Sequence, residues 1–209
     1  MIRFIYGDEL CRYPVLQAGM HRDRASQFKE RLGWDVHVDA NGWERDEYDA
    51  LNPLYVIWET PSGQHGGSMR FLPTTGRTMV NEHFSHLADA QIVSPLIWEC
   101  TRFCLAPDAN SRTAALLSVA GGELVRAFGL SHVLGVFDAR MVRIYNMIGT
   151  APEVVGSEGH GRDKISVGLW SYRDEDRRRV LRRAGISSEI SEAWFERSFG
   201  RPIKLPIAA

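Results

Sequence analysis

The sequence predicts an α/β domain of three layers, α-β-α, with helices on both faces of a sheet. Three observations point there. Strand and helix signals alternate along the chain without an internal repeat or a low-complexity linker. The helical stretches place apolar residues at helical spacing between capping residues. At 209 residues with 44% hydrophobic side chains, the chain can bury one full core. A single domain over residues 1–209 is expected, its carboxy-terminal part from about 172 being helical.

In order, "IRFIY" is a short strand, and residues 8–32 read as mostly helical, with Pro14 kinking or restarting the helix. "LGWDVHVDANGWERDEYD" is a loop rich in Gly, Asp and Asn. "LYVIWET", 54–60, and "GGSMRFLPT", 66–74, are strands joined by the turn "PSGQHG", while residues 81–94 fit neither period. "PLIWECTRFCL", 95–105, is apolar and aromatic between Pro95 and Pro107, as a core strand is, yet it carries Glu99 and Arg102. Asn110 or Ser111 caps a helix in which Leu117, Leu124 and Phe128 recur at helical spacing and which ends near Gly129. "HVLGVF" is a strand, "DARMVRIYNMIG" a helix closed by glycine, "DKISVGLW" a late strand, and "RDEDRRRVLRRAGISSEISEAWFERSF" one or two helices.

Charge is balanced, 25 Lys+Arg against 26 Asp+Glu, so no overall field draws the chain to nucleic acid or a membrane surface. The amino terminus, "MIRFIYGDEL", meets acidic residues early, and the ~18 consecutive apolar residues of a membrane helix occur nowhere. Cys11, Cys100 and Cys104 make no even framework, and the last two, four apart on one strand, should face the same side as buried thiols. A cytoplasmic protein is expected. The glycines of "GSEGHGRD" lack the strand and helix that a phosphate loop needs and read as a mobile turn. His83 and His86 have no third ligand at a fitting offset, so no metal is expected, and no Gly-x-Ser-x-Gly elbow offers a nucleophile.

The informative set is ordered along the first half: Arg24, Phe28 and Trp34 in "RASQFKERLGW", Asp46 and Asp49 in "ERDEYD", Arg70 in "GSMRFLPTTG", Phe84, then Glu99 and Arg102. In this order and with these gaps it resembles the acyl-homoserine-lactone synthases, the autoinducer synthases of bacterial quorum sensing, over residues 1 to about 171. Thr101 stands where many members carry serine. The resemblance implies a GNAT-like fold, with a mixed sheet flanked by helices. It also implies an acyltransferase that joins an acyl chain to S-adenosylmethionine and closes the lactone, releasing methylthioadenosine. S-adenosylmethionine is then a substrate, and no cofactor is expected.

That substrate carries an ammonium, a carboxylate and a sulfonium, which call for acids, arginine and aromatic faces. Asp46 and Asp49 suit its cationic groups, Arg24 and Arg102 its carboxylate or the acids themselves, and Phe28 with Trp34 its sulfonium and adenosine, with Phe84 and Phe103 as further walls. Packing alone would also explain Phe28 and Trp34, and an ion pair with Asp46 or Asp49 that orders the loop would explain Arg24 and Arg70. Glu99 is assigned the base, because an α-amino group titrates near pH ~8 and must be neutral to attack. In a regular strand Glu99 and Arg102 point to opposite faces, so either only one faces the cleft or a β-bulge between them re-aims the side chains; the resemblance implies the bulge, which GNAT-like folds carry on this strand.

For the donor, "APDANSRTAAL" has no glycine to cradle a pyrophosphate, which favours an acyl-carrier-protein thioester over acyl-CoA. Arg143, Lys164, Arg177, Arg178 and Arg179 are the expected patch for an acidic carrier. A CoA-dependent synthase or N-acyltransferase, and a silent S-adenosylmethionine-binding module, are the alternatives. Gly135 aligns with a threonine that several members making 3-oxo products carry, which implies an acyl chain without a 3-oxo group and more room at that point.

Overall fold

The computed structural model describes residues 1–200; the stretch 201–209 of the expected domain lies outside the described residues. Seven strands form one mixed sheet: β1 (Ile2–Tyr6), β2 (Leu54–Glu59), β3 (His65–Pro73), β4 (Ile97–Leu105), β5 (His132–Asp138), β6 (Glu153–Glu158) and β7 (Ile165–Ser171), in the spatial order β1-β2-β3-β4-β5-β7-β6. α1 (Pro14–Arg24) and α2 (Met79–His83) cover one face, where Leu16 and Met20 meet Tyr55 and Ile57, and Val80 meets Leu134 and Val167. α3 (Ser111–Phe128), α4 (Ala139–Ile148), α5 (Asp174–Ala184) and α6 (Ser188–Phe199) cover the other, where Leu117 and Leu124 pack with Val56, Met69 and Phe71. The three-layer α-β-α expectation holds. Among the described residues no helix is long and apolar enough to cross a membrane.

Local chemistry explains most boundaries. Pro14 opens α1 at its first turn, where its missing N–H costs nothing, after a 3-10 turn over Gly7–Arg12; the helix then runs on as a π turn, Ala25–Arg31. Asn110 caps α3 by accepting from the Arg112 N–H, and Gly129, at φ 63°, ends it. The ambiguous stretch 81–94 holds most of α2 and a 3-10 turn, Ser85–Leu87. Strand β6 is an addition to the sequence reading. It takes Gly156–Glu158 of "GSEGHGRD", leaving the remainder as the turn to β7, and Gly156 is required because a Cβ there would lie 1.7 Å from the Leu87 carbonyl oxygen.

The expected bulge is present on β4, at Arg102 itself. The register steps from Arg70↔Thr101 to Ser68↔Cys104, so one residue of β4 is extra, and Arg102 has φ 51°. Glu99, Thr101 and Arg102 therefore share the α1 face, while Cys100 and Phe103 join the core beneath α3. The bulge also corrects the expectation for the cysteines. Cys104 is turned to the opposite face from Cys100, near Asp23, Arg24 and Glu44. β4 pairs in parallel with β5 only from Ile97↔His132 to Glu99↔Leu134, and beyond that point the sheet opens.

Of the residues expected in the carrier patch, Arg177 is committed inside the fold, and Arg179, though exposed, is tied to the end of a helix. Arg177 shares the packed face of α5 with Val180, Leu181 and Ala184, and donates at 2.7 Å to Glu123, a carboxylate only 1% exposed. Glu123 also accepts from Arg126 at 2.8 Å and from the Ser191 hydroxyl at 2.9 Å, so one buried acid ties α3, α5 and α6 together. Arg179 donates to the Gly149 carbonyl at the end of α4. Arg178, Arg143 and Lys164 remain exposed. Glu123→Ala should destabilise the fold by about 3 kcal/mol, because it takes the buried partner from the Ser191 hydroxyl and the Arg177 guanidinium and leaves Arg177 with Glu192 alone. Urea unfolding monitored by tryptophan fluorescence measures this, and a change under about 0.5 kcal/mol would contradict it.

Candidate active site

The loop before β2 is set by its own side chains. Asp46 caps the 3-10 turn Glu47–Leu51 by accepting from the Tyr48 and Asp49 N–H groups, and Asp49 accepts from the Asp46 N–H in return. The Asp-x-x-Asp spacing is thus a capping box. The remaining carboxylate capacity goes to arginines. Arg24, 1% exposed, donates to both oxygens of Asp49 at 3.0 and 2.9 Å and to Glu44 at 2.5 Å. Arg70 donates to both oxygens of Asp46, to Asp49 at 2.9 Å and to the Thr101 hydroxyl at 3.0 Å. Arg102 reaches Glu44 at 2.9 Å and Asp46 at 2.8 Å.

Three arginines therefore face three carboxylates, and the network is neutral as a whole. Burial by itself would raise the Asp49 carboxyl; the Arg24 and Arg70 guanidiniums outweigh it and hold the group far below the usual carboxylate range. Asp46 is lowered likewise, burial being outweighed by the Arg70 hydrogen bond and charge. The loop-ordering alternative for Arg24 and Arg70 is the arrangement found. Sequence reading passed over Glu44, 0% exposed at the centre of the network, although it begins the string "ERDEYD".

Glu99 sits under α2. Its two oxygens accept from the Met79 and Val80 N–H groups at 3.1 and 2.7 Å, doing the work of a helix cap, while the neighbouring Thr78 hydroxyl has no partner. Burial raises the Glu99 carboxyl, and these two N–H bonds offset part of the rise.

Two cavities of about 560 Å³ each lie against the network, and Glu99, 1% exposed, borders neither, standing behind Met79. One is a polar cleft bordered by Glu44, Asp46, Glu47 and His83; the other is largely apolar and runs under the sheet opening past Phe84, Phe103 and Gly135. Met79 and Arg102 border both. Phe28 and Trp34 stack at 5.0 Å with a 6° angle on the apolar side, and the Arg102 guanidinium lies 5.4 Å from the Phe28 ring. Arg24, Arg70 and Asp49 stand behind the cavities as support. Gly135 does not leave the expected room, since a Cβ there would meet the Trp170 ring at 3.2 Å. His83 does find acidic company, one neighbour in sequence and one distant: it lies with Glu82 and Glu47 at the rim of the cleft, all exposed, and Glu82 is engaged by Arg77 and the Tyr48 hydroxyl.

The chain matches the family model described as autoinducer synthase over residues 10–181. An acyl-homoserine-lactone synthase of Rhizobium etli is 41% identical over 182 residues, 83% of this chain and 84% of its own length. One from Agrobacterium fabrum is 35% identical over 152 residues, 68% and 72% of the two chains. In structure, a CoA-dependent acyl-homoserine lactone synthase, MesI, superposes with a TM-score of 0.78 at 21% identity, covering 90% of this chain and 97% of that one. The AHL synthase LasI gives 0.74 at 24% identity, covering 86% and 93%.

Asp46 and Asp49 bind protons more weakly when folded than when unfolded, so the stability they supply is full above the ordinary value of 3.8 and is lost as pH falls below it. Glu99 has the opposite sign, favouring the folded state below its raised value and losing that contribution as pH rises through it from 4.5. The melting temperature should therefore fall steeply from about pH 4 to pH 2, and less steeply in Asp46→Asn. Parallel slopes in the two proteins would contradict the network.

Proposed function

Since this chain belongs to the autoinducer synthase family and is an acyl-homoserine-lactone synthase, we propose that the polar cleft takes S-adenosylmethionine and the apolar cavity takes an acyl chain delivered by a carrier protein. The observation that carries the reading is the meeting of the two cavities at Arg102, on the β4 bulge, where β4 and β5 part. A zwitterionic head belongs against the Glu44, Asp46 and Arg102 edge of the network, and the stacked Phe28–Trp34 pair offers π faces to the sulfonium. The thioester carbonyl then lies at the opening, within reach of unpaired strand N–H groups.

The chemistry follows in two steps. The neutral amine attacks the thioester carbon, forming the amide and breaking the C–S bond so that the carrier sulfur leaves as a thiolate; the proton the amine loses passes through a water to Glu99 and from there to the departing sulfur, which restores the carboxylate. Each Glu99 oxygen keeps a second lone pair beyond its N–H bond, and the raised carboxyl is a stronger base than an ordinary glutamate. The carboxylate oxygen next attacks the carbon that bears the sulfonium; the C–S bond breaks, sulfur takes the electron pair, and the lactone and methylthioadenosine result. Neither step requires a cofactor.

The carrier-protein donor is supported by the start of α3, the place for a pyrophosphate. Its first turn is capped by Asn110, and Arg112 is drawn away to the Ala184 and Gly185 carbonyls. Among the described residues, Arg143, Lys164 and Arg178 make no ion pair or hydrogen bond with their side chains, and they form the cationic surface left for an acidic partner.

With matched acyl chains, methylthioadenosine release should show a higher kcat/KM for the carrier-protein donor than for acyl-CoA, and Arg143→Glu with Lys164→Glu should raise KM for the carrier alone. Equal use of both donors would overturn the carrier reading. Glu99→Gln should lower kcat by about a hundredfold and remove the rise of kcat with pH. Because glutamine presents one N–H₂ to the α2 amides, a melting curve is run alongside. A folded variant that turns over at the wild-type rate near neutrality would remove Glu99 from the proton path.

A further inference from the structure

The apolar cavity has a polar group set into its wall whose hydrogen-bonding capacity is unused. Of the hydroxyls that border it, that of Ser118 donates to the Ala114 carbonyl at 3.0 Å, that of Thr101 accepts from Arg70 and that of Tyr172 donates to Asp174, while those of Thr150, on the loop after α4, and of the exposed Ser171, at the end of β7, lie away from the ring cluster around Gly135. The Tyr145 hydroxyl, from α4, makes no hydrogen bond among the described residues. It is also unable to swing away. The Tyr145 ring is held edge-on by Trp170 at 5.0 Å and by Phe137 at 5.5 Å, and Trp170 in turn fills the space over Gly135.

The titratable groups that face Tyr145 are Cys100 and Asp138. Asp138 is occupied in capping α4 through the Arg140 and Met141 N–H groups, and burial pushes the Cys100 thiol up to about 12, so it is neutral. Cys100 immediately follows the last β4–β5 pair and precedes the bulge, which places Tyr145 beside the sheet opening, at the beginning of the acyl chain and away from its tail.

An acyl chain that fills this cavity expels water, and the phenol then stays unpaired unless the chain brings an oxygen. We propose that Tyr145 determines specificity by donating a hydrogen bond to an oxygen on the first carbons beyond the thioester, a 3-hydroxyl or 3-keto group, so that such donors are selected over unsubstituted ones. Recognition of this kind needs no hydroxyl on β5, so the glycine at 135 does not exclude it. The inference rests on the synthase reading above.

The test compares kcat/KM, read by methylthioadenosine release, for 3-hydroxy, 3-oxo and unsubstituted donors of one chain length, in the wild-type chain and in Tyr145→Phe. An oxygenated donor should be preferred by tenfold or more in the wild type, as is usual where a site built to pair a polar group meets an analogue lacking it, and the preference should fall to about one in the variant. Turnover of all donors without preference, or a preference that survives Tyr145→Phe, overturns the inference and leaves the synthase reading standing. So does an equal loss on all three donors, which would put the hydroxyl on the thioester they share. No methylthioadenosine from any donor would sink both.

Discussion

Everything at the candidate site depends on six charges satisfying one another, three of them, Arg24, Arg70 and Glu44, fully buried. Arg24, Arg70 and Arg102 come from α1, β3 and β4, while Glu44, Asp46 and Asp49 come from one loop. Removing a single member leaves its partner desolvated and unpaired, a far larger penalty than the net worth of any one pair. Such a network is poor evidence of stability but strong evidence of a defined geometry. It fixes an otherwise irregular loop against the sheet, and of its members Arg102, Glu44 and Asp46 border a cavity.

The bulge on β4 is the second constraint, and it follows from the same need. Without the extra residue at Arg102, strand alternation would send that guanidinium into the core beneath α3, where no carboxylate waits. With it, Thr101 and Arg102 both face the network, Phe103 returns to the core, and the ladder to β5 ends early. One backbone irregularity thus positions a charge and opens the sheet. The site then has a polar half and an apolar half sharing a wall, Met79 and Arg102, and Glu99 holds that wall by taking the first amides of α2.

Much of this was legible in the residues. Strands β2 to β5, the caps of α3 and α4, and the ordered set from Arg24 to Arg102 announce themselves through alternation, helical spacing, cap chemistry and order along the chain. Even the bulge could be anticipated, because two charges three apart on one strand cannot share a face without it. Edge strand β6 could not: its side chains are mostly exposed, so it carries no alternation of apolar and polar residues to read.

What the tertiary structure alone decided is which partner each charge meets. Sequence spacing reports the face on which a side chain lies only within a regular element, and pairings across long separations belong to the packing of elements. That is why Arg177, one cation in a basic run, proved to be the buried partner of Glu123, and why Glu44 emerged as the centre of the network. It is also why Cys104 left the face of Cys100, since a single inserted residue reverses the parity of every position after it. The chain by itself determined the family, the layers and the residue types of the site; the fold determined which of those residues touch one another.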